Sequence, residues 1–400
     1  MRTNKRYERT ILTMNGILGI NRYVLRPKTS EDAFRLQEQE GVNAVVPMDD
    51  FLGLTGLPFK LTPNLMINTA YWAQNQGSYQ EAEEAILRAY GVKVNDDTVR
   101  KVTNYVGNVV FQADCERANA AYEQLNQGKL NFPNRKKKGV LYIEADGAAL
   151  NTRVKDNDGS TWRENKLGMV FSSDNIYTWT NHKGEKQRQL NKREYIAYIG
   201  AVAEFKKHLL ACALKNGYGK YEKTVLVSDG AAWIRNMKEE LFPDAQQILD
   251  FYHLCENVNT YAKCLFDQDH EQCGNWAVAT CTLLKKSKWQ DVLNDLEKRK
   301  KPTNCTVDLS GYIQNNIHNI DYAAYLQEGY FIGSGAIESG NKSVLQQRLK
   351  QAGMRWNVHT AQNLLSLRAK YKSNLWVTEV ENPVLNLLAS SSCKISPSTS

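Results

Sequence analysis

Residues 140–149 read VLYIEADGAA and residues 224–232 read TVLVSDGAA, and these two similar stretches decide the fold. In each stretch a short run of branched and aromatic residues is followed by Asp-Gly-Ala-Ala. Runs of this kind, stopped by glycine, are typical of buried β-strands. The pattern therefore predicts that Asp146 and Asp229 each stand at the end of a strand, where the chain turns.

The composition is that of a globular protein with more than one domain. The 400 residues are 42% hydrophobic, and 51 Lys and Arg against 43 Asp and Glu give a net charge of +8. This excess favours an anionic partner such as nucleic acid, although a cationic surface without a partner is the simpler alternative. The eight cysteines include no Cys-x-x-Cys pair, which argues against a zinc ribbon or a disulfide framework. A polar N-terminus and the lack of a bilayer-length apolar stretch predict a cytoplasmic protein without membrane contact.

The N-terminal part contains a predicted hairpin and a predicted helix-turn-helix. Residues 6–26 alternate as two strands around Asn15-Gly16, a common hairpin turn. Further on, residues 79–90 and 98–110 have helical patterns, separated by a glycine-containing break and three capping residues. The second helix would present Arg100, Lys101 and Asn104 to DNA. An ordinary helical hairpin is the alternative.

The central region alternates strands and helices in a recognisable order. The order is three strands, a helix, a strand, a helix and a strand, which is a ribonuclease-H-like layout of the α/β class. We expect a mixed sheet with helices on both faces, in which the first and fourth strands are neighbours and bring Asp146 close to Asp229. The predicted elements after the first strand are strands 162–171 and 176–180, helix 193–214, the second Asp-Gly strand, helix 231–241 and strand 247–251.

A third carboxylate follows a long helical stretch. Residues 333–342 read GSGAIESGNK and lead into a helix, so Glu338 can join the two aspartates. Three acids can hold two divalent ions, which activate the attacking oxygen and stabilise the leaving oxygen at phosphorus. Each acid alone has a simpler explanation, because an Asp before Gly is often a turn residue and a Glu at a helix start favours the helix dipole.

Five sequence blocks in a fixed order carry a resemblance to a known family. They are YIEADGAAL, WRENKLGMVF, VLVSDGAAWI, ILDFYHLCENV and GSGAIESGNKSVLQQRLKQAGMRW. Between about residue 60 and residue 375 the chain resembles the DDE transposases of bacterial insertion sequences, in particular the ISLre2 group, also catalogued as the UPF0236 family. The resemblance implies that Asp146, Asp229 and Glu338 are the catalytic, metal-binding acids. It also implies a role near the scissile phosphate for His253, for which a hydrogen-bonded core histidine is the alternative.

The resemblance implies an enzyme that cleaves the ends of an insertion sequence and joins them to target DNA. The implied cofactor is Mg²⁺ or Mn²⁺, two ions per site, and the implied partner is double-stranded DNA. The protein would act as a homo-oligomer when two ends are synapsed, in the bacterial cytoplasm and on the nucleoid when bound to DNA. Arg348 and Arg355 are further candidates for DNA contact, and a solvated cationic helix face is their alternative.

Two rival functions remain open on the sequence. One is a ribonuclease-H-like nuclease without strand transfer, and another is a domesticated or inactive DNA-binding protein derived from a transposase. Paired-acid glycoside hydrolysis is disfavoured by the strand-end Asp-Gly pattern and the basic charge balance. The predicted domains are a hairpin and linker (1–60), a helical DNA-binding region (61–138), a catalytic core (139–253), an all-helical insertion (254–328), the final core helix with Glu338 (329–375) and a C-terminal tail (376–400).

Overall fold

The structure is a computed structural model that describes residues 2–40, 43–156, 158–267, 269–299, 301–302 and 305–392. Its strands are β1 (Arg2–Thr13), β2 (Gly16–Arg26), β3 (Lys137–Asn151), β4 (Trp162–Ser172), β5 (Ile176–Thr180), β6 (Lys186–Leu190), β7 (Glu194–Ile199), β8 (Tyr221–Ser228) and β9 (Gln246–Leu249). Its helices are α1 (Ser30–Glu40), α2 (Pro47–Phe51), α3 (Pro63–Asn75), α4 (Tyr79–Tyr90), α5 (Asp96–Asn126), α6 (Val202–Lys215), α7 (Ala232–Leu241), α8 (Phe251–Leu265), α9 (His270–Lys285), α10 (Trp289–Lys298), α11 (Leu309–Asn315), α12 (Tyr322–Gln327), α13 (Gly335–Gly340), α14 (Gln347–Leu349), α15 (Val358–Lys372) and α16 (Asn382–Ser392).

The chain divides into two compact units. The first comprises Met1–Asp114, Thr152–Val154 and Val344–Ser400, and the second comprises Cys115–Asn151 and Lys155–Ser343. Within the described residues, no helix has the length and apolar character that crossing a membrane requires.

The first unit is mainly helical and contains the predicted hairpin and helix-turn-helix elements. β1 and β2 pair in antiparallel fashion up to Thr13 and Gly16. α4 ends at Gly91, which has a φ of 66°, a backbone conformation that favours glycine. α5 then begins at Asp96 and continues to Asn126, beyond the predicted end near residue 110. The valines of α5 pack with α3, α4 and the last helices in one apolar core.

The C-terminal segment adds to this core. Trp376, Val380, Val384 and Leu388 are buried in it, so most of the segment predicted as a tail, residues 376–400, is packed helix. Residues 393–400, the polar end of that tail, lie outside the described residues.

The second unit is built on a five-stranded mixed sheet in the order β7-β4-β3-β8-β9. β3 is antiparallel to β4 and parallel to β8, β4 is antiparallel to β7, and β8 is parallel to β9. Ile143 and its alternate neighbours on β3 pack with Phe205 of α6 and Met237 of α7. On the opposite face, the backbone N–H of Ile337 in α13 donates to Glu144 of β3. The predicted α/β class, with helices on both faces of a mixed sheet, is thus confirmed, and α8 to α12 form the predicted helical stretch.

One predicted element of this unit is wrong in part, and another is right in type but belongs to a different sheet. Residues 194–199 form the edge strand β7, although a helix was predicted over 193–214; α6 begins only at Val202. The apolar residues of 195–209 fit a helical period, but Gly200, with a φ of 144°, separates a buried strand from the helix. Residues 176–180 form β5 as predicted, yet β5 pairs with β6 in a separate two-stranded sheet.

The two Asp-Gly-Ala-Ala segments have different conformations. β8 ends at Ser228, and Gly230 has a φ of 84°, so the predicted turn after Asp229 is present. The turn predicted after Asp146 is wrong, because β3 continues to Asn151 and Asp146 pairs with Leu167 of β4. Antiparallel pairing with β4 keeps the segment at 146–149 extended, whereas β8 ends before the segment at 229–232.

We predict that Gly230→Ala destabilises the protein and that Gly147→Ala does not. A left-handed backbone costs a non-glycine residue about 1–2 kcal/mol, and a Cβ on Gly230 would lie 2.8 Å from Leu249 Cδ1. At Gly147 the nearest obstacle is the flexible end of Glu164. Urea unfolding of both variants tests this difference, and equal midpoints for the two would contradict it.

Candidate active site

The register of two parallel strands places the two aspartates side by side. Glu144 of β3 faces Val227 of β8 in the last pair of the two strands, and Asp146 and Asp229 each follow two residues later along the chain. Asp146 accepts hydrogen bonds from the N–H of Gly147 at 2.7 Å and from the side-chain amide of Asn341. Burial raises the pKa of Asp146, and the nearby charge of Asp229 raises it further.

Glu338 lies on α13, which packs over the face of the sheet that carries Asp146. Its Oε1 lies 3.4 Å from the hydroxyl of Ser334, and that hydroxyl donates to the buried carboxylate of Asp250. Burial, then the charges of Asp250, Glu256 and Asp146, raise the pKa of Glu338. The structure therefore brings Asp146 within range of the charge of Asp229, and Glu338 within range of the charge of Asp146.

A fourth acid, Glu144, was not predicted. It is fully buried on β3, and its Oε2 accepts the N–H of Ile337 at 2.9 Å. Burial raises the pKa of Glu144 to about 8. The hydrogen bond from Ile337 opposes this rise, and the charges of Asp250 and Glu338 add to it. The available signal was its spacing, because alternate residues of a strand share a face and Glu144 stands two residues before Asp146.

Asn341 was also missed, and it bears on whether the site fits a metal ion. Its side-chain nitrogen donates to Asp146, while its Oδ1 is buried without a hydrogen-bond partner among the described residues. The donors at this end of the sheet are thus carboxylate and amide oxygens, which suit hard cations such as Mg²⁺ and Mn²⁺. No three Asp, Glu, His or Cys side chains of the described residues are already gathered as a metal-ligand group. Mg²⁺ often needs only one or two carboxylates and keeps its waters, so the donor set fits it.

His253 is near the acids but does not touch them in this structure. It lies on α8, and its side chain is 42% exposed, with Nδ1 3.6 Å from Glu256. When protonated, the ring opposes the rise of the pKa of Asp146. Asp250, three residues earlier, caps α8 by accepting the N–H of Tyr252 at 2.8 Å. The side chain is partly exposed, so His253 is not a fully buried core histidine, and its role near the phosphate stays a prediction.

The five candidates for DNA contact have different surroundings in the first unit. Arg100 and Lys101 are exposed on α5, each paired with Asp97, and Arg355 is exposed after α14. Asn104 is partly buried, and its Oδ1 accepts the amide of Asn363 at 2.7 Å.

Arg348 corrects the prediction of a solvent-facing cation. Its side chain is 1% exposed, its Nε donates to the carbonyl of Ala73, and its guanidinium lies over the rings of Tyr79 and Trp356. The alternative of a solvated helix face is wrong for the same reason. Arg348 therefore packs the first unit and offers no charge to DNA in this structure.

The fold and the acids define the class: an α/β protein with carboxylates on β3, on the loop after β8 and on α13, all at one end of a mixed sheet. Residues 36–382 match UPF0236, described as an uncharacterised protein family. This match covers well over half of the chain, so the chain belongs to the UPF0236 family. A search among curated proteins finds no significant match. The family indicated by the sequence blocks is confirmed, and the transposase activity stays a prediction.

We predict that Glu144→Gln stabilises the metal-free protein at high pH. The unfolded chain loses this proton near the usual pKa of 4.5, whereas the folded chain keeps it to about pH 8. Stability conferred by protonated Glu144 is therefore lost as the pH rises through this window. A glutamine still accepts the N–H of Ile337 and carries no charge.

The measurement is urea unfolding with a chelator at about pH 5 and about pH 8.5. From the lower to the higher pH value, the free energy of unfolding of the variant should increase by at least about 1 kcal/mol relative to that of the wild type. Glu222→Gln, an exposed acid at the other end of β8, is the control and should show no such gain. A Glu144→Gln variant that follows the wild type at both pH values would contradict the assignment.

Proposed function

We propose that this chain is a DDE-type transposase, which cleaves DNA at the ends of an insertion sequence and joins the released 3′-hydroxyls to target DNA. The observation that carries the proposal is the matching position of Asp146 and Asp229 beyond the paired part of β3 and β8, with Glu338 on the helix over the same face. The strand order supports a ribonuclease-H-like core, because β3 has antiparallel neighbours on one side and parallel neighbours on the other.

The proposed cofactors are two Mg²⁺ or Mn²⁺ ions. We propose that Asp146, Asp229 and Glu338 hold them, with the amide oxygen of Asn341 as a neutral donor. When bound, such ions activate the attacking oxygen and stabilise the leaving oxygen of an in-line displacement at phosphorus.

The remaining residues of the site orient these acids. Ser334 links Asp250 to Glu338, and Ile337 ties the same helix to Glu144 on the sheet. We propose that His253, exposed beside the acids, approaches the scissile phosphate, where a protonated ring would offset its negative charge.

The proposed partner is double-stranded DNA, in the form of element ends and target. Arg100 and Lys101, exposed on the second helix of the helix-turn-helix, are proposed to contact phosphates. Arg355 is a further exposed candidate. We propose that the protein forms a homo-oligomer when two ends are held together, and that it acts on DNA in the bacterial cytoplasm.

We predict that Asp146→Asn, Asp229→Asn and Glu338→Gln each abolish DNA cleavage and strand transfer while DNA binding persists. Each change keeps the shape of the side chain and removes a charged oxygen donor, so losses of about a hundredfold or more are expected. The assay follows labelled duplexes carrying the DNA that flanks the gene, incubated with target DNA and Mg²⁺ or Mn²⁺.

Glu222→Gln is the matched control and should retain full activity, because this exposed acid lies at the far end of β8 from Asp229. Full activity in any of the three acid variants would refute the site. Hydrolysis without joined products would favour the nuclease, and duplex binding without any cleavage would favour a domesticated DNA-binding protein.

We also predict that replacing Arg100 and Lys101 together by alanine weakens duplex binding at all sequences. Because each phosphate contact contributes about one to the dependence of log affinity on log salt concentration, the slope should fall by about two. Arg88→Ala is the control, since Arg88 is also exposed, on the first helix, and pairs only with Glu84 among the described residues. A double variant with the wild-type slope would exclude these two contacts.

A further inference from the structure

A cavity of about 390 Å³ opens in the second unit beside the acids. Its volume is in the range of small-molecule sites. Glu144 lies in its wall, and Gly335 and Ala336, just before Glu338 on α13, line it as well. Whatever occupies this cavity therefore lies next to the candidate active site.

One side of the cavity is an aromatic wall. The ring of Phe331 lies 5.1 Å from that of Tyr142, and Tyr142 stacks on Phe171 with ring centroids 5.0 Å apart. Tyr252 adds a ring that is 62% exposed, and this ring is packed so closely on Gly333 that a Cβ there would lie 2.4 Å from it. Such ring faces, held by their neighbours, are surfaces on which a nucleic-acid base stacks.

Two cations border the same cavity. The guanidinium of Arg188, on β6, lies over the ring of Phe331 at 5.2 Å, and Lys285 is the last residue of α9. Both residues are exposed, unlike Arg348, although Lys285 also lies over the ring of Phe251 at 5.8 Å. A ligand that matches aromatic faces and two cations is a flat ring bearing an anionic group, which describes a nucleotide. An uncharged apolar ligand would use the rings and leave both cations without a function.

We infer that this cavity binds one unpaired nucleotide of the DNA strand, with the base against Phe331 and Tyr252 and a phosphate at Arg188 and Lys285. The inference rests on the proposed function, because it takes DNA as the substrate. A base within a duplex has its faces covered by neighbouring base pairs, so only an unpaired or extruded base can enter. The cavity would hold a nucleotide beside the scissile phosphate and so position that phosphate at the acids.

The hairpin that carries Arg188 also supplies an internal control. Tyr177 and Trp179 lie on β5 with stacked rings 5.8 Å apart, and they are 58% and 38% exposed. Arg188 pairs with Thr178, and neighbouring residues of a strand point to opposite faces, so these two rings face away from the side that bears Arg188. They form an aromatic surface of similar chemistry outside the cavity.

The test compares a blunt duplex with the same duplex carrying one unpaired 2-aminopurine at a 3′ end. The fluorescence of this base falls when it stacks, and binding is followed by that change and by anisotropy. We expect the wild type to bind the tailed duplex more tightly and to quench the base. Phe331→Leu should lose about tenfold in affinity for the tailed duplex and almost none for the blunt one. Arg188→Gln should weaken tailed binding and lower its salt slope by about one.

Tyr177→Leu should leave tailed binding and quenching unchanged. Thermal unfolding would show whether Phe331→Leu perturbs folding. The Arg188→Gln variant tests the cavity even in that case, because Arg188 is exposed. Three results would each overturn the inference and leave the proposed function standing. They are equal affinity of the wild type for blunt and tailed duplexes, unchanged quenching in both cavity variants, and a loss of affinity for the tailed duplex in Tyr177→Leu alone. A wild type that binds neither duplex would overturn both.

Discussion

The parallel pairing of β3 with β8 is the constraint on which the candidate site depends. Glu144 faces Val227, so Asp146 and Asp229 follow at matching positions, and the charge of Asp229 acts on Asp146. Side chains alternate along a strand, and a slip by one residue would turn a carboxylate into the apolar layer beneath α6 and α7. The alternate residues Leu141, Ile143 and Leu226 are fully buried in that layer. The apolar face of the sheet therefore determines the geometry of its acidic face.

Glu144 couples the helix of the site to the sheet. A buried carboxylate is costly unless it is protonated or hydrogen-bonded, and Glu144 receives the N–H of Ile337 from the helix that carries Glu338. Burial, and after it the charges of Asp250 and Glu338, raise the pKa of Glu144, and burial and other carboxylates likewise raise the pKa of Glu338. A group of acids that repel one another is stabilised by protons or by cations. The same repulsion that makes the metal-free site sensitive to pH therefore favours the cations that we propose.

Local sequence patterns were sufficient to predict some helices, strands and site residues and insufficient to predict others. Gly91 marks the end of a helix by its own backbone preference, and the bounds of α4 were accordingly predicted closely, whereas the end of α5 was not. Tyr195 and its neighbours fit a helix or a strand equally well, and only pairing with β4 makes them a strand. The two aspartates were identifiable because the apolar run before each Asp-Gly is a local signal, although only Asp229 follows the end of a strand. Glu144 and Arg348 were not, because their roles depend on Ile337, Tyr79 and Trp356, which are distant in sequence.

The positive charge counted from the sequence differs from the positive charge that a phosphate would meet. In the first unit Arg348, Arg368 and Lys370 are at most 3% exposed. Lys370 pairs with Asp114 at 2.7 Å, and Arg368 donates to backbone carbonyls, so both stabilise the packing of their unit. Such buried cations add to the net charge and nothing to an electrostatic surface. Any attraction for DNA must come from exposed cations such as Arg100 and Arg188. The position of these cations therefore bears more on the choice of partner than the net charge of +8 does.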